Sequence, residues 1–185
     1  VNHPFCSLCP WRWDIDDIDF DTVEIWNGPM RPDNIKTYQW WTKQLLLGRR
    51  LPAVGGSDYH KDYGPKKLWG IPTTHVFAIS TAPEDILKSV KEGRINISRN
   101  AKCEPVTLTS GDSVIGDTVK LTSDTEVEAI VPKLPRGHTL KIYNNDKIIY
   151  QYKSKRRKTH KAKVKVLEKG FVRAEVRYRP RIGEI

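Results

Sequence analysis

The chain lacks any apolar run long enough to cross a bilayer: runs such as Leu45-Leu46-Leu47 are far below the ~20 residues a membrane helix needs. No secretory signal is evident. The chain opens at Val1 rather than Met, inside what reads as a structured segment, so that absence says nothing of what lies upstream. A cytoplasmic setting is the favoured expectation. Cysteine is scarce and odd in number, three in 185 residues, which argues against a disulfide framework. Cys6-Ser7-Leu8-Cys9 has a CxxC spacing, yet no second CxxC and no Cys/His pair completes a zinc site along the sequence. Free thiols in a reducing compartment are the preferred reading. There is no His-x-His among the five histidines and no internal repeat. The acidic run Asp14 to Asp21 lacks the central Gly and terminal Glu of a calcium loop, so a solvated loop is expected there.

What is present divides the chain in two. Residues 1–103 carry 14 Lys/Arg against 12 Asp/Glu, whereas residues 104–185 carry 18 against 10. Most of the net +10 charge therefore lies in the second part, which places a boundary near Cys103-Glu104-Pro105. In the first part, strand-like and helix-like pieces alternate. Thr22 to Trp26 reads as a strand ending at Asn27-Gly28-Pro29, and a helix capped by Asp33 runs to a stop at Gly48. Pro52 to Gly55 and Thr74 to Ile79 are further strands. Thr81-Ala82-Pro83-Glu84 has capping-box spacing and opens a helix to Gly93, and Ile95 to Ser98 closes the unit. Trp40 and Trp41 keep helical spacing with Gln44, Leu45 and Gly48, which assigns them to packing. This cadence is that of α/β architecture.

After Pro105 the pattern turns to period two. Val106–Thr109, Val119–Leu121, Val127–Val131, Leu140–Tyr143, Ile148–Tyr150, Val164–Val166 and Val172–Val176 are strand candidates, with Asn144-Asn145-Asp146 as a hairpin turn. Residues 104–185 are therefore expected to form a small β-sandwich.

The segment richest in chemistry is Gly55-Gly56-Ser57-Asp58-Tyr59-His60. Two glycines after a short apolar strand permit a sharp turn. In extended chain, Asp58 and His60 at i, i+2 project to one side, so a carboxylate and an imidazole can reach a common metal. Asn2-His3-Pro4 adds a second imidazole, held extended before proline. Glu24 and Asn27 fall at a strand end, where polar groups line a pocket or support ligands. His75 starts a strand and reads as a core or surface histidine.

Asn2-His3-Pro4-Phe5, Asp21 to Gly28 and Gly55 to His60, in that order, resemble the polymerase and histidinol phosphatase (PHP) superfamily, in its carbaryl-hydrolase-like CehA/McbA branch. Trp69 to Thr73 and Thr81 to Ile86 fit the same order, so the resemblance covers roughly residues 2–100. It implies a distorted β/α barrel with a polynuclear site for divalent metal ions (manganese, zinc or iron), with His3, Asp58 and His60 as ligands. It also implies water-driven hydrolysis of a small-molecule ester or phosphoester. The family's early ligands, a His-x-His with an acidic residue and a further His, have no counterpart here. Residues 1–103 are therefore expected to be the C-terminal portion of such a barrel, missing its N-terminal half, with little or no activity alone.

A rival signal is the basic cluster Lys153, Lys155, Arg156, Arg157, Lys158, Lys161, Lys163 and Lys165. A non-catalytic module for nucleic acid or another polyanion is the alternative function. The alternation of Lys161 to Val166 instead favours a solvated hairpin, whose lysines also guard a sheet edge.

Overall fold

A computed structural model describes residues 1–16, 18–61 and 69–178. Asp17, within the acidic run, lies outside them. The chain divides into two compact units, Val1–Pro105 and Val106–Ile185.

The first unit follows the order β1 (Val23–Asn27), α1 (Pro32–Leu46), β2 (Ala53–Gly56), β3 (Thr73–Val76), α2 (Pro83–Lys91) and β4 (Ile95–Ser98). The expected portion of a β/α barrel is not formed. A barrel requires neighbouring strands to run parallel around a closed ring. Among the described residues of this unit only β1 and β2 pair in parallel, β3 and β4 pair antiparallel, and each pair is a separate two-stranded sheet. Strand residues outnumber helical ones, 35% against 14%, and the sheets are several and small. The break between the pairs has a local cause. The Thr74 hydroxyl bonds both the N–H and the carbonyl of Gly55, each at 2.8 Å, so a side chain stands where a backbone ladder would continue.

Both helices begin at a proline rather than at the capping residues expected. Arg31 and Ala82 occupy the N-cap positions with no side-chain cap, and Pro32 and Pro83 supply a φ already suited to the first turn. Asp33, one residue inside α1, accepts instead from the N–H and hydroxyl of Ser7, both at 3.0 Å. The acidic run is not simply solvated. Asp16 Oδ1 accepts from Trp40 Nε1 and Gln44 Nε2 at 2.9 and 2.8 Å, and Ile15 is buried, so the run is fastened to α1.

The second unit contains β5 (Thr107–Ser110), β6 (Ser113–Val114), β7 (Glu126–Leu134), β8 (Thr139–Asn144), β9 (Lys147–Lys153), β10 (Lys158–Lys165) and β11 (Val172–Arg177). They form two sheets, ordered β10-β7-β5-β6 and β11-β8-β9. Inward residues of both sheets, Val127, Ala129, Val131, Leu140, Ile142 and Ala162 among them, share one core. Two expectations are corrected here. Val119–Leu121 is not a strand: Lys120 O accepts from Thr125 Oγ1 within a local turn. The basic stretch is not a hairpin, because β9 pairs with β8 and β10 with β7, and the chain between them crosses from one sheet to the other.

Among the described residues, no helix is long and apolar enough to cross a membrane.

Candidate metal centre

The site grows from the carboxyl end of the β1–β2 pair, where Asn27 lies opposite Gly56. Residues 1–3 run beside β1: the Val1 nitrogen donates to Thr22 O at 2.6 Å, and Glu24 N–H donates to Val1 O at 2.9 Å. His3 is thereby delivered to Glu24, whose Oε2 accepts the His3 N–H at 3.0 Å. Glu24 is only 8% exposed, and Asn27 Nδ2 donates to both its oxygens at 3.3 Å. Asn27 is itself fixed by Asn34, which bonds its N–H and carbonyl, and by Arg31 Nη2 on its side-chain oxygen at 3.0 Å. Burial pushes the Glu24 carboxyl above its ordinary value. The Asn27 bond and the nearby His3 oppose that shift, and the Asp58 charge adds to it.

The glycine pair serves this carboxylate differently from its expected role. Neither Gly55 nor Gly56 has a positive φ; the left-handed residue of the segment is Asp58, at φ 51°. The glycines are required for space. A Cβ on Gly56 would lie 2.6 Å from Glu24 Oε1, and one on Gly55 would lie 2.8 Å from the Ile97 side chain. His3 is also left-handed, at φ 28°. Two of the four described non-glycine residues with positive φ are thus sequence-predicted ligands, a form of local strain that clusters at functional sites.

The predicted ligands do not gather as a set. His60 is exposed, and its Nδ1 lies 2.7 Å from the Asp58 carbonyl and 3.8 Å from the Asp58 carboxylate. Asp58 is close enough for its charge to act on Glu24 and on Cys9. Among the described residues, the one group of three or more His, Cys, Asp or Glu whose ligand atoms all lie within 4.8 Å is His3, Cys6 and Cys9. Sequence reasoning missed this set because it sought the partner of the CxxC in a second cysteine motif. The His-Pro segment three residues upstream was the available signal.

That group is held by a turn. Cys6 N–H donates to His3 O at 3.0 Å, Trp11 N–H reaches Pro4 O at 3.4 Å, and Ser7 is tied to Asp33 of α1. Cys6 is buried and Cys9 exposed, with Sγ atoms 2.7 Å apart, and Cys9 Sγ lies 3.7 Å from His3 Nδ1. The Cys9 thiol directed at Cys6 pulls the Cys6 pKa down, and the same contact pushes the Cys9 pKa up.

No family model, curated protein or solved structure matches the chain.

Proposed function

We propose that the chain is a metal-dependent hydrolase of small esters or phosphoesters, keeping the chemistry implied by the motif resemblance without its barrel. The observation that carries the reading is Glu24: a carboxylate buried on β1, oriented by Asn27 and His3, with Asp58 and His60 in the segment that follows β2. His3 would hold a divalent ion, which when bound would supply Lewis-acid polarisation of the ester and of a water. The chain's own residues do the rest. Glu24, its pKa raised by burial, would be the group placed to take a proton from an attacking water. Asn27 holds the carboxylate in one orientation and is itself held by Arg31, whose Nη2 donates to its side-chain oxygen.

The test is turnover of bis(p-nitrophenyl) phosphate and p-nitrophenyl acetate by the purified chain with zinc or manganese. Low but metal-stimulated turnover is expected, falling about 100-fold or more in Glu24→Gln, the scale of a lost general base. Turnover indifferent to a chelator or to Glu24→Gln contradicts the reading.

A second reading rests on a separate observation. Lys155, Arg156, Arg157 and Lys158 are four consecutive exposed cations around the crossing between β9 and β10. A polyanion-binding role for this loop predicts association with arbitrary DNA that weakens steeply as salt rises. Binding that is absent at low salt removes it.

A further inference from the structure

We propose that His3, Cys6 and Cys9 form a thiolate-rich site for one zinc-class ion, with a coordination position left open beside Glu24 and Asp58. The inference deepens the hydrolase reading by naming the ion's ligands, and rests on that reading only for the use made of the ion.

Three observations carry it. The donor set is one imidazole and two sulfurs, all within 4.8 Å of one another, a combination that suits zinc and disfavours manganese, magnesium or calcium. The spacing is close to that of a bound ion. Tetrahedral zinc with ordinary bond lengths separates a sulfur and a nitrogen ligand by about 3.6 Å, and Cys9 Sγ to His3 Nδ1 is 3.7 Å. The two sulfurs, at 2.7 Å, must part by about 1 Å to fit the same geometry. Cys9 is exposed, and rotation of its side chain provides that opening. The third observation is preorganisation. The three ligands sit within one turn, braced by the Cys6–His3 backbone bond and by Ser7 on Asp33, so little chain ordering is left for the ion to impose.

Three protein ligands and an open position are the arrangement of catalytic rather than structural zinc. The sulfurs also supply donors that the absent His-x-His does not. The His3 N–H on Glu24 Oε2, at 3.0 Å, joins the proposed site to the carboxylate argued above to take the proton.

The experiment is a titration of the fully reduced chain with cobalt(II), a spectroscopic stand-in for zinc, followed by zinc displacement. One equivalent of cobalt is expected to give a near-ultraviolet thiolate-to-metal charge-transfer band that one equivalent of zinc removes. Cys9→Ser changes an exposed residue, so folding is not at risk; it is expected to cut the band by about half and weaken zinc about tenfold or more, the scale at which even supporting residues act. His60→Ala is expected to leave the band intact. Cobalt binding without the band, or a Cys9→Ser chain that holds zinc as tightly as the parent, overturns the proposal. So does a Cys6–Cys9 pair that oxidises readily in the parent but binds neither ion when reduced. A band without hydrolysis supports the thiolate site and removes the hydrolase reading; hydrolysis without a band does the reverse.

Discussion

At the residue scale, Glu24 decides most. Its carboxylate is buried, and its pKa in the folded chain lies above the ordinary 4.5. For an acid raised in this way the folded state binds the proton more tightly. The stabilising contribution is fully present below 4.5 and is lost as pH rises through the folded value. Glu24→Gln removes that dependence. Urea denaturation of the metal-free chains is expected to show the variant gaining stability relative to the parent as pH rises from 4 toward neutrality; a flat or opposite trend contradicts the burial argument. Gly56 is the companion case. Gly56→Ala sets a methyl 2.6 Å from Glu24 Oε1, so the carboxylate must shift. A loss of about 1–3 kcal/mol is expected, the usual cost of overpacking, together with the loss of any hydrolysis. Here the sequence was informative about position and not about cause. The Gly-Gly pair marks the site, but what it admits is a side chain three residues along a neighbouring strand, a contact that no local pattern encodes.

At the element scale, the turns and the period-two strands of residues 106–178 were largely legible, because alternation reflects a sheet with one buried face. The hairpin at Asn145-Asp146 joins β8 and β9 as its sequence indicates, with Asn145 at φ 58°. What alternation leaves open is partnership. The alternating stretch Lys161 to Val166 falls largely in β10, which pairs with β7, not with the strand before it. The same limit explains the barrel: the strand–helix–strand–strand–helix–strand cadence is present in the first unit, but cadence carries neither direction nor pairing, and β3 and β4 run antiparallel. Gly170 tests one such long-range contact. A Cβ there would fall on the Asn145 side chain, which accepts from Phe171 N–H and donates to Lys169 O. Gly170→Ala, at φ 138°, is expected to destabilise the β8–β9 turn and to lower the melting temperature; an unchanged melt removes this contact as a determinant of the fold.

At the scale of the whole molecule, two compact units imply separable stabilities. Leu140 is fully buried in the core shared by the two sheets of the second unit. Leu140→Ala is expected to cost about 2–5 kcal/mol there, while the cobalt band of the first unit persists at temperatures where the second has begun to melt. Loss of both signals in one transition contradicts independence. The charge step near residue 103, where the strand period also changes, lies close to the division after Pro105. The candidate centre was less readable. His3, Glu24, Asp58 and a CxxC were each visible, but the grouping of His3 with Cys6 and Cys9 depends on a turn whose geometry is set by Ser7 on α1.

The central claim is that a zinc-class ion binds beside Glu24 through His3 and the two thiols. Anomalous diffraction at the zinc edge from zinc-loaded crystals tests it most directly. The account predicts one strong peak bonded to a His3 ring nitrogen and to Sγ of Cys6 and Cys9, at ~2.0–2.3 Å. A peak held by Asp58 and His60 away from the sulfurs, or no peak in the first unit, would contradict it.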